Sequence, residues 1–385
     1  MASSTSTPLL GDQSAAMENG HIKRLPAAIG SKFRRAETSD FSAALEKLKD
    51  EGKVAPATIT YDANYPLRYA LMLAGTSVKM CLKSFTFWMV ILENVILSYV
   101  YYAICHNHEN FDGSFDTGGW PYITSAIWGS FGGIVTFMLV FHASDCYSRF
   151  QKQYDTVRAI EGSVHTVMGL LRTRIPDDAF PGARTVRNKV AKWAIAQTYL
   201  GFGWLPTNRE NGVDEWTWER VVKCGLVGNE EIEHLLALHP GEYPVSELES
   251  CATQYLWANK EEIGEGTVCE LSANISGITT GFKSLYGTTE MPVPFALYHY
   301  ITLMNTAWLV LISYMFIFYS RYWGIIATIL TVLAFQGLRE IANVLAEPLG
   351  NDETDIPVFD YVVQWHTSME STINAPAAFA KKVKA

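Results

Sequence analysis

The sequence predicts an all-α membrane protein with four transmembrane helices and a large helical domain on the inner side of the bilayer. Of the 385 residues, 49% are apolar and 18% are charged, and the apolar residues are gathered into long runs rather than spread along the chain. Four of these runs are long enough to cross a hydrocarbon layer of roughly 30 Å. Lys and Arg residues are concentrated on one side of them, which fixes an orientation.

The four runs cover residues 85–104, 121–144, 295–320 and 322–338, the last continuing toward Leu345. Buried helices of a soluble core are the alternative, and periodicity cannot separate the two, so length and low charge decide for a membrane. Only the first run carries a carboxylate near its middle, at Glu93. A carboxylate in hydrocarbon is costly unless it is paired, so we expect Glu93 to form a hydrogen bond within the helix bundle.

Basic residues place both termini and the long middle region on the same side of the membrane. They precede the first run and follow the second, and the end of the chain is also basic, whereas loop 106–120 has no Lys or Arg and the last hairpin has only Arg321. By the positive-inside rule, the basic side is the cytoplasmic or stromal face. Aromatic residues cluster at the opposite interface, at Trp120, Tyr122, Tyr319, Tyr322 and Trp323.

The remaining segments divide the chain into six parts. Residues 1–55 predict a disordered tail that begins with a Ser-, Thr- and Ala-rich stretch, and 56–84 flank the membrane. The hairpins are 85–146 and 295–346, the inner helical domain is 147–294, and 347–385 form an acidic segment with a C-terminal tail. The tail composition also suits a transit peptide, although Glu18 weakens that interpretation, so thylakoid, plasma membrane and endomembrane all stay open.

The inner domain is predicted to be helical because amphipathic segments recur in it and alternating strand patterns are scarce. The segments are 165–175, 183–199, 229–238 and 249–263, with prolines between them. No Walker, HExxH or GxSxG motif occurs, and the six cysteines have no metal-ligand spacing. The chain is therefore not expected to be an enzyme or to bind nucleic acid.

A stripe of small and aromatic residues marks the second apolar run. Gly129, Gly133, Phe137 and Phe141 recur every four residues and so share one face of a helix. Around a symmetry axis they would form a tapering apolar constriction, whose ring edges tolerate partly dehydrated anions. The alternative is that the glycines allow close helix contact and the phenylalanines face lipid or core.

An acidic segment directly follows the last apolar run. Glu347 opens it, Pro348 and Gly350 favour a turn, and further carboxylates follow as far as Asp355. Carboxylate and carbonyl oxygens on a bent loop are the ligands that calcium prefers. A solvated acidic loop is the alternative.

Three motifs give the chain a resemblance to the bestrophin anion channels. The stretch Phe-His-Ala-Ser-Asp-Cys-Tyr-Ser-Arg-Phe from Phe141 is similar to that family's Phe-Arg-x-Asn-x-x-Tyr-x-Arg-Phe/Trp pattern at the end of its second membrane helix. Pro-Val-Pro-Phe-Ala-Leu-Tyr-His from Pro292 resembles the entry to the third helix. Glu-Pro-Leu-Gly-Asn-Asp-Glu-Thr-Asp-Ile-Pro from Glu347 resembles the segment after the fourth. The motifs occur in the family's order, and the resemblance covers about residues 57–374.

The resemblance implies a homopentamer in the lipid bilayer, with one central pore for inorganic anions. Its narrow neck falls on Gly133, Phe137 and Phe141, and Gly133 stands where the family usually has a bulky apolar residue. Chloride is the expected permeant ion, with bicarbonate or nitrate as alternatives because an aromatic neck discriminates by dehydration. A membrane scaffold or receptor without conduction, and an anion carrier, are the competing classes; the sequence shows no clear sign of the broken helices and internal pseudo-symmetry that carriers often contain.

Two departures from the family pattern concern the inner mouth and calcium. His142 stands where many members have Arg, and a ring of five imidazoles facing a cavity would make conductance depend on pH. The resemblance assigns calcium (Ca²⁺) to Glu347, Asp352 and Asp355. However, Val344 stands where animal members place a side-chain amide ligand.

Overall fold

The computed structural model describes residues 64, 72–73, 75–104, 119–205, 213, 215–237, 243–291, 293–318, 323–350 and 354–375. Their regular structure is entirely helical, which confirms the predicted all-α class. The twelve α-helices of this part of the chain are α1 (Ser77–Lys83), α2 (Phe85–Tyr99, extended by a π-helical turn Val100–Ile104), α3 (Ser125–Arg174), α4 (Ala183–Gly203), α5 (Glu215–Lys223), α6 (Asn229–Ala237), α7 (Tyr243–Ala258), α8 (Lys260–Ile263), α9 (Glu265–Glu290), α10 (Phe295–Phe316), α11 (Trp323–Ala346) and α12 (Val358–Asn374). The predicted tail 1–55 and the last ten residues lie outside the described residues.

Four helices are long and apolar enough to cross a membrane, as predicted. They are α2 with its π-helical turn, α3, α10 and α11. Only 22% to 33% of the most apolar 18-residue stretch of each is buried within the protomer. Most of the surface of these spans is therefore left to lipid or to other subunits.

Helix α3 is the longest element and joins the membrane part to the inner domain. Its 50 residues correspond to about 75 Å of α-helix. The span was predicted to end at residue 144 and the inner domain to begin at 147, but both boundaries fall inside this one helix. Neither Pro nor Gly occurs between residues 134 and 161, so nothing interrupts the backbone hydrogen bonds where the sequence turns polar. The helix ends only at Arg174, because Pro176 disfavours helical geometry at Ile175.

Helix α4 forms the centre of the inner domain. Sixteen of its 21 residues are buried. The five others, 184, 185, 188, 189 and 192, share one face of its first half, as the amphipathic helix predicted for 183–199 requires, whereas residues 193–203 are buried on every side. Helices α3, α5, α7, α9 and α12 all pack against it. At Gly201 an added Cβ would lie 2.5 Å from the Phe282 ring, which shows how closely α9 approaches.

The C-terminal helix α12 was not predicted from the sequence, which treated 347–385 as an acidic segment and tail. It packs against α3 and α4, and its buried face includes Trp365 and His366. The short connection from α11 buries Leu349 and Ile356. The chain therefore returns from the membrane into the inner domain core.

Polar side chains inside the membrane bundle link neighbouring helices. The Ser313 hydroxyl donates to Glu93 at 3.2 Å, which confirms the expected hydrogen bond of that carboxylate. The Asn94 amide donates to the Ser313 carbonyl at 2.6 Å, and the Asn305 amide donates to Gln336 at 3.4 Å. These bonds join α2 to α10 and α10 to α11, so the two hairpins form one bundle.

Candidate functional site

The predicted stripe lies on an open face of α3. Phe137 is 72% exposed and Phe141 is 64% exposed, and their rings lie 6.5 Å apart at an interplanar angle of 21°. An added Cβ at Gly129 or Gly133 would meet nothing within 4 Å. The protomer thus presents a row of two stacked rings and two glycines to its surroundings.

The opposite face of α3 packs against α10. Val135 and Leu139 are buried in a cluster with Trp308, and an added Cβ at Gly132 would lie 2.5 Å from the Trp308 ring. Close helix contact within the protomer therefore involves Gly132, not Gly129 or Gly133. That contact leaves the stripe free to face a partner subunit, a pore or lipid.

His142 does not lie on the stripe. Its side chain is 2% exposed and faces the protomer interior, where the imidazole lies 3.8 Å from the Cys146 sulfur. This position disagrees with the prediction of imidazoles lining an inner cavity. The physical reason is helical periodicity, because residues 132, 135, 139, 142 and 146 all lie on the buried face of α3.

Arg149 is a residue whose role sequence reasoning missed. Its guanidinium donates to the main-chain carbonyl of Ala346 at 2.9 Å, to that of Thr288 at 2.6 Å and to that of Met291. The three acceptors lie at or just after the C-terminal ends of α11 and α9, where unpaired carbonyls favour a cation. Arg149 therefore fixes α3 to both helices at the inner edge of the bundle. The Tyr-x-Arg-Phe motif was the available signal.

The two described ends of the acidic segment, 347–350 and 354–357, lie close together after α11. The Ile356 amide donates to the Pro348 carbonyl at 2.9 Å, and Asp355 is 5% exposed. An added Cβ at Gly350 would lie 2.7 Å from an Asp355 carboxylate oxygen, so a side chain there would displace that group. Glu347 is exposed, and Asp352 lies outside the described residues. Among the side chains described, no three His, Cys, Asp or Glu residues converge on a metal-sized site.

These features define a class of protein. Four apolar helices cross the membrane, and the second continues into a helical inner domain and leaves a glycine and phenylalanine face unpacked. The chain is a multi-pass, α-helical integral membrane protein with a face on α3 suited to subunit assembly.

The family follows from comparison with known proteins. A family model described as Bacterial/Fungal Bestrophin protein matches residues 80–371. The chain belongs to the bestrophin family, a family of membrane channels. The expected resemblance is thereby confirmed. A search of the curated proteins gives no match.

Solved structures agree with this assignment at the level of the fold. A bacterial bestrophin homologue from Klebsiella pneumoniae with a single substitution has 16% sequence identity and a TM-score of 0.62, covering 78% of this chain and 98% of the homologue. Another structure of the homologue, from zinc-based phasing, has 16% identity and a TM-score of 0.59, covering 75% and 96%.

Proposed function

We propose that this chain assembles as a homopentameric anion channel whose neck is formed by Gly133, Phe137 and Phe141 of each subunit. The observation that carries the proposal is the open stripe on α3, since two large aromatic rings stay exposed and stack on each other, opposite the face of α3 that packs against α10. Five such faces around an axis enclose a narrow apolar passage. Gly133 widens its outer end, because the hollow beside it is empty.

The neck would select ions by dehydration. Its ring edges carry partial positive charge, which suits an anion that has lost part of its water shell. An apolar wall offers no specific binding pocket, so permeability should follow the ease of dehydration. Chloride is the proposed main ion, with nitrate and bicarbonate also permeant. The distribution of Lys and Arg supports placing the inner domain and both termini on the cytoplasmic or stromal side.

Planar-bilayer recording of the purified protein tests this proposal. Wild-type channels should give unitary currents whose reversal potential follows the anion gradient. Substituting Phe137→Ala together with Phe141→Ala should raise unitary conductance and weaken discrimination among chloride, nitrate and bicarbonate. Phe85→Ala is the matched control, because that ring is 82% exposed on another span and lies off the stripe.

Three outcomes would contradict the proposal. An intact pentamer without any anion current would favour a scaffold or receptor. Anion flux without unitary currents would favour a carrier. If the double-alanine channel matches the Phe85→Ala control in conductance and selectivity, the stripe does not line the pore.

We also propose that the acidic segment confers calcium sensitivity through Glu347, Asp352 and Asp355. Support comes from the buried Asp355, the hydrogen bond from the Ile356 amide to the Pro348 carbonyl that brings the two ends of the segment together, and the preference of calcium for carboxylate oxygens. Asp355→Asn should abolish the response of the wild-type current to a calcium series, and Glu347→Gln should shift it to higher calcium. A wild-type current that is flat between nanomolar and millimolar calcium would reduce the segment to a brace for α11.

A further inference from the structure

A polar groove lies on the inner half of α3, at its contact with α9. It has a volume of about 710 Å³ and is open to its surroundings. Hydroxyl groups, glycines and alanines make up most of its lining, and Lys152 and Asp155 are its charged residues. We call this feature the inner groove.

The inner groove continues the direction of the phenylalanine stripe. Ser148, Lys152, Asp155 and Ala159 follow Phe141 by 7, 11, 14 and 18 residues. At 3.6 residues per turn, all four point within about 40° of Phe141 on the unbroken helix α3. Lys152 lies about 16 Å farther along the helix axis, toward the inner domain. One face of one helix therefore carries an aromatic stretch followed by a polar stretch.

Close packing of α9 against α3 keeps the groove shallow and polar. An added Cβ at Gly277 would lie 2.9 Å from the Ser163 hydroxyl, so the two backbones approach closely there. From α9, Ser276, Thr280 and Ser284 present hydroxyl groups to the groove. Lys152 and Asp155 are both exposed, and neither forms an ion pair within the described part of the chain. Their charges are thus available to a mobile ion.

We propose that the inner groove is a wall of the permeation path below the neck, that it binds a hydrated small anion, and that Lys152 selects the sign of the ion. This proposal rests on the proposed function, because only a pore lined by Phe137 and Phe141 brings the same face of α3 to the axis. Five copies then place five ammonium groups about 16 Å below Phe141.

The chemistry of the groove suits an ion that is held weakly. Hydroxyl groups donate hydrogen bonds to an anion without removing its whole water shell. Charges of one sign in a cleft raise the local concentration of the counter-ion. Asp155, one turn along the same face, opposes Lys152 and lowers its attraction, and an ion must leave as readily as it enters for conduction. The two residues should therefore act in opposite directions.

Charge substitutions recorded in planar bilayers test the proposal. Lys152→Glu should reduce unitary chloride conductance about threefold or more and shift the reversal potential toward that of the cation. Asp155→Asn should raise chloride conductance. Lys260→Glu is the matched control, because Lys260 is exposed on α8, outside the groove, and undergoes the same change of charge.

A thiol-labelling experiment separates a pore wall from a contact between subunits. Thr280→Cys, made together with Cys269→Ser, is treated from the inner side with a sulfonate-bearing or a trimethylammonium-bearing methanethiosulfonate. The anionic reagent should reduce chloride current and the cationic reagent should increase it. If the introduced thiol stays unreactive in a conducting pentamer, a neighbouring subunit covers the groove, and this would overturn the proposal.

The failures of the two proposals are distinguishable. Absence of anion current in the wild type removes the proposed function. If the wild type carries anion current, but the Lys152→Glu and Asp155→Asn channels match the Lys260→Glu control in conductance and reversal potential, only the proposal for the inner groove is contradicted. Equal losses in Lys152→Glu and Asp155→Asn would also contradict it, since a pore wall requires opposite effects.

Discussion

The membrane bundle and the inner domain differ in how much of their apolar surface is buried within the protomer. In the inner domain, α4 buries sixteen of 21 residues, and its neighbours close around it to form one continuous core. In the bundle, no more than 33% of the most apolar stretch of any span is buried, and rings such as Phe85 and Phe137 stay exposed. The described part of the inner domain has a core buried within one protomer, whereas most of the surface of the spans is left to lipid or to other subunits.

This difference separates residues that hold the subunit together from residues that act between subunits. Substitutions on the packed faces should change the stability of the protomer. Substitutions on open faces should change assembly or conduction and leave stability almost unaltered. The predictions below test that division, beginning with the residue that joins the two regions.

Removing the Arg149 side chain should have the largest effect. Arg149→Met loses three hydrogen bonds from a charged donor and leaves three carbonyls at helix ends without it. Such bonds contribute roughly 1.5–3 kcal/mol each, so even with partial solvent exposure the loss should be several kcal/mol. The apparent melting midpoint in detergent, followed by fluorescence-detected size exclusion, should fall sharply.

Arg149→Lys is the matched variant, because it keeps the charge but cannot reach three carbonyls with a planar fork. It should melt between Arg149→Met and the wild type. If Arg149→Met has the same apparent melting midpoint as the wild type, the hydrogen bonds of Arg149 do not hold the bundle and the inner domain together.

Substitutions of the adjacent glycines Gly132 and Gly133 in α3 should have effects of intermediate size. The first should change the stability of the protomer, and the second should change conductance. Gly132→Ala forces a methyl group against the Trp308 ring and should destabilise the protomer by roughly 1–3 kcal/mol through overpacking. Gly133→Ala meets open space, so melting should be unchanged or slightly higher, because alanine favours a helix. Its unitary conductance should nevertheless fall, since five methyl groups would enter the proposed neck. Equal melting losses in both variants would contradict the division between packed and open faces.

A smaller effect is expected from pH in the inner domain core. His366 is 5% exposed, and its imidazole lies 3.3 Å from the Tyr199 hydroxyl and 3.7 Å from the Glu370 carboxylate. Burial lowers the pKa of His366, Glu370 opposes that shift and Lys192 reinforces it. Arg220 and Cys224 lie on the α5 side of the same cluster and, like Glu370, influence the titration of Tyr199, whose pKa burial raises.

The direction of the pH effect follows from the protonation of His366 in the folded and the unfolded chain. The folded protein holds His366 neutral, while the unfolded chain takes up a proton below about pH 6.5, so stability should fall as the pH drops below that value and level off below the folded pKa. Melting midpoints between pH 7.5 and 5.0 measure this loss. His366→Gln should flatten the slope. An unchanged slope in His366→Gln would assign the pH dependence to other groups.

The sequence predicted the membrane part better than the inner domain for a physical reason. Hydrocarbon accepts only long apolar helices, so the four spans could be recognised from length and charge alone. Helix α4 carries its lysines and arginines between residues 184 and 192, which made it resemble a surface helix over its whole length, although residues 193–203 are enclosed on all sides. The continuity of α3 was missed because a change from apolar to polar composition was taken for the end of a helix.

The candidate site was predicted in part. The spacing of Gly133, Phe137 and Phe141 placed them on one face of α3, and that face is exposed in the structure, although Ile127, Ile134 and Val140 of the same span are exposed as well. The position of His142 could have been found from the buried spacing that includes Leu139 and Cys146. Neither the hydrogen bonds of Arg149 nor the inner groove could be predicted, because both depend on how α9 lies beside α3.

The length of α3 has a mechanical consequence. Phe137 lies about 18 Å from Arg149 along the helix, and the inner end at Arg174 lies about 37 Å away in the other direction. If α3 pivots as a rigid rod at Arg149, a sideways displacement of its inner end by about 2 Å moves Phe137 by about 1 Å in the opposite direction. In the proposed five-fold assembly this would change the bore by about twice that amount, so a displacement of the inner domain would reach the proposed neck without any bending of the helix.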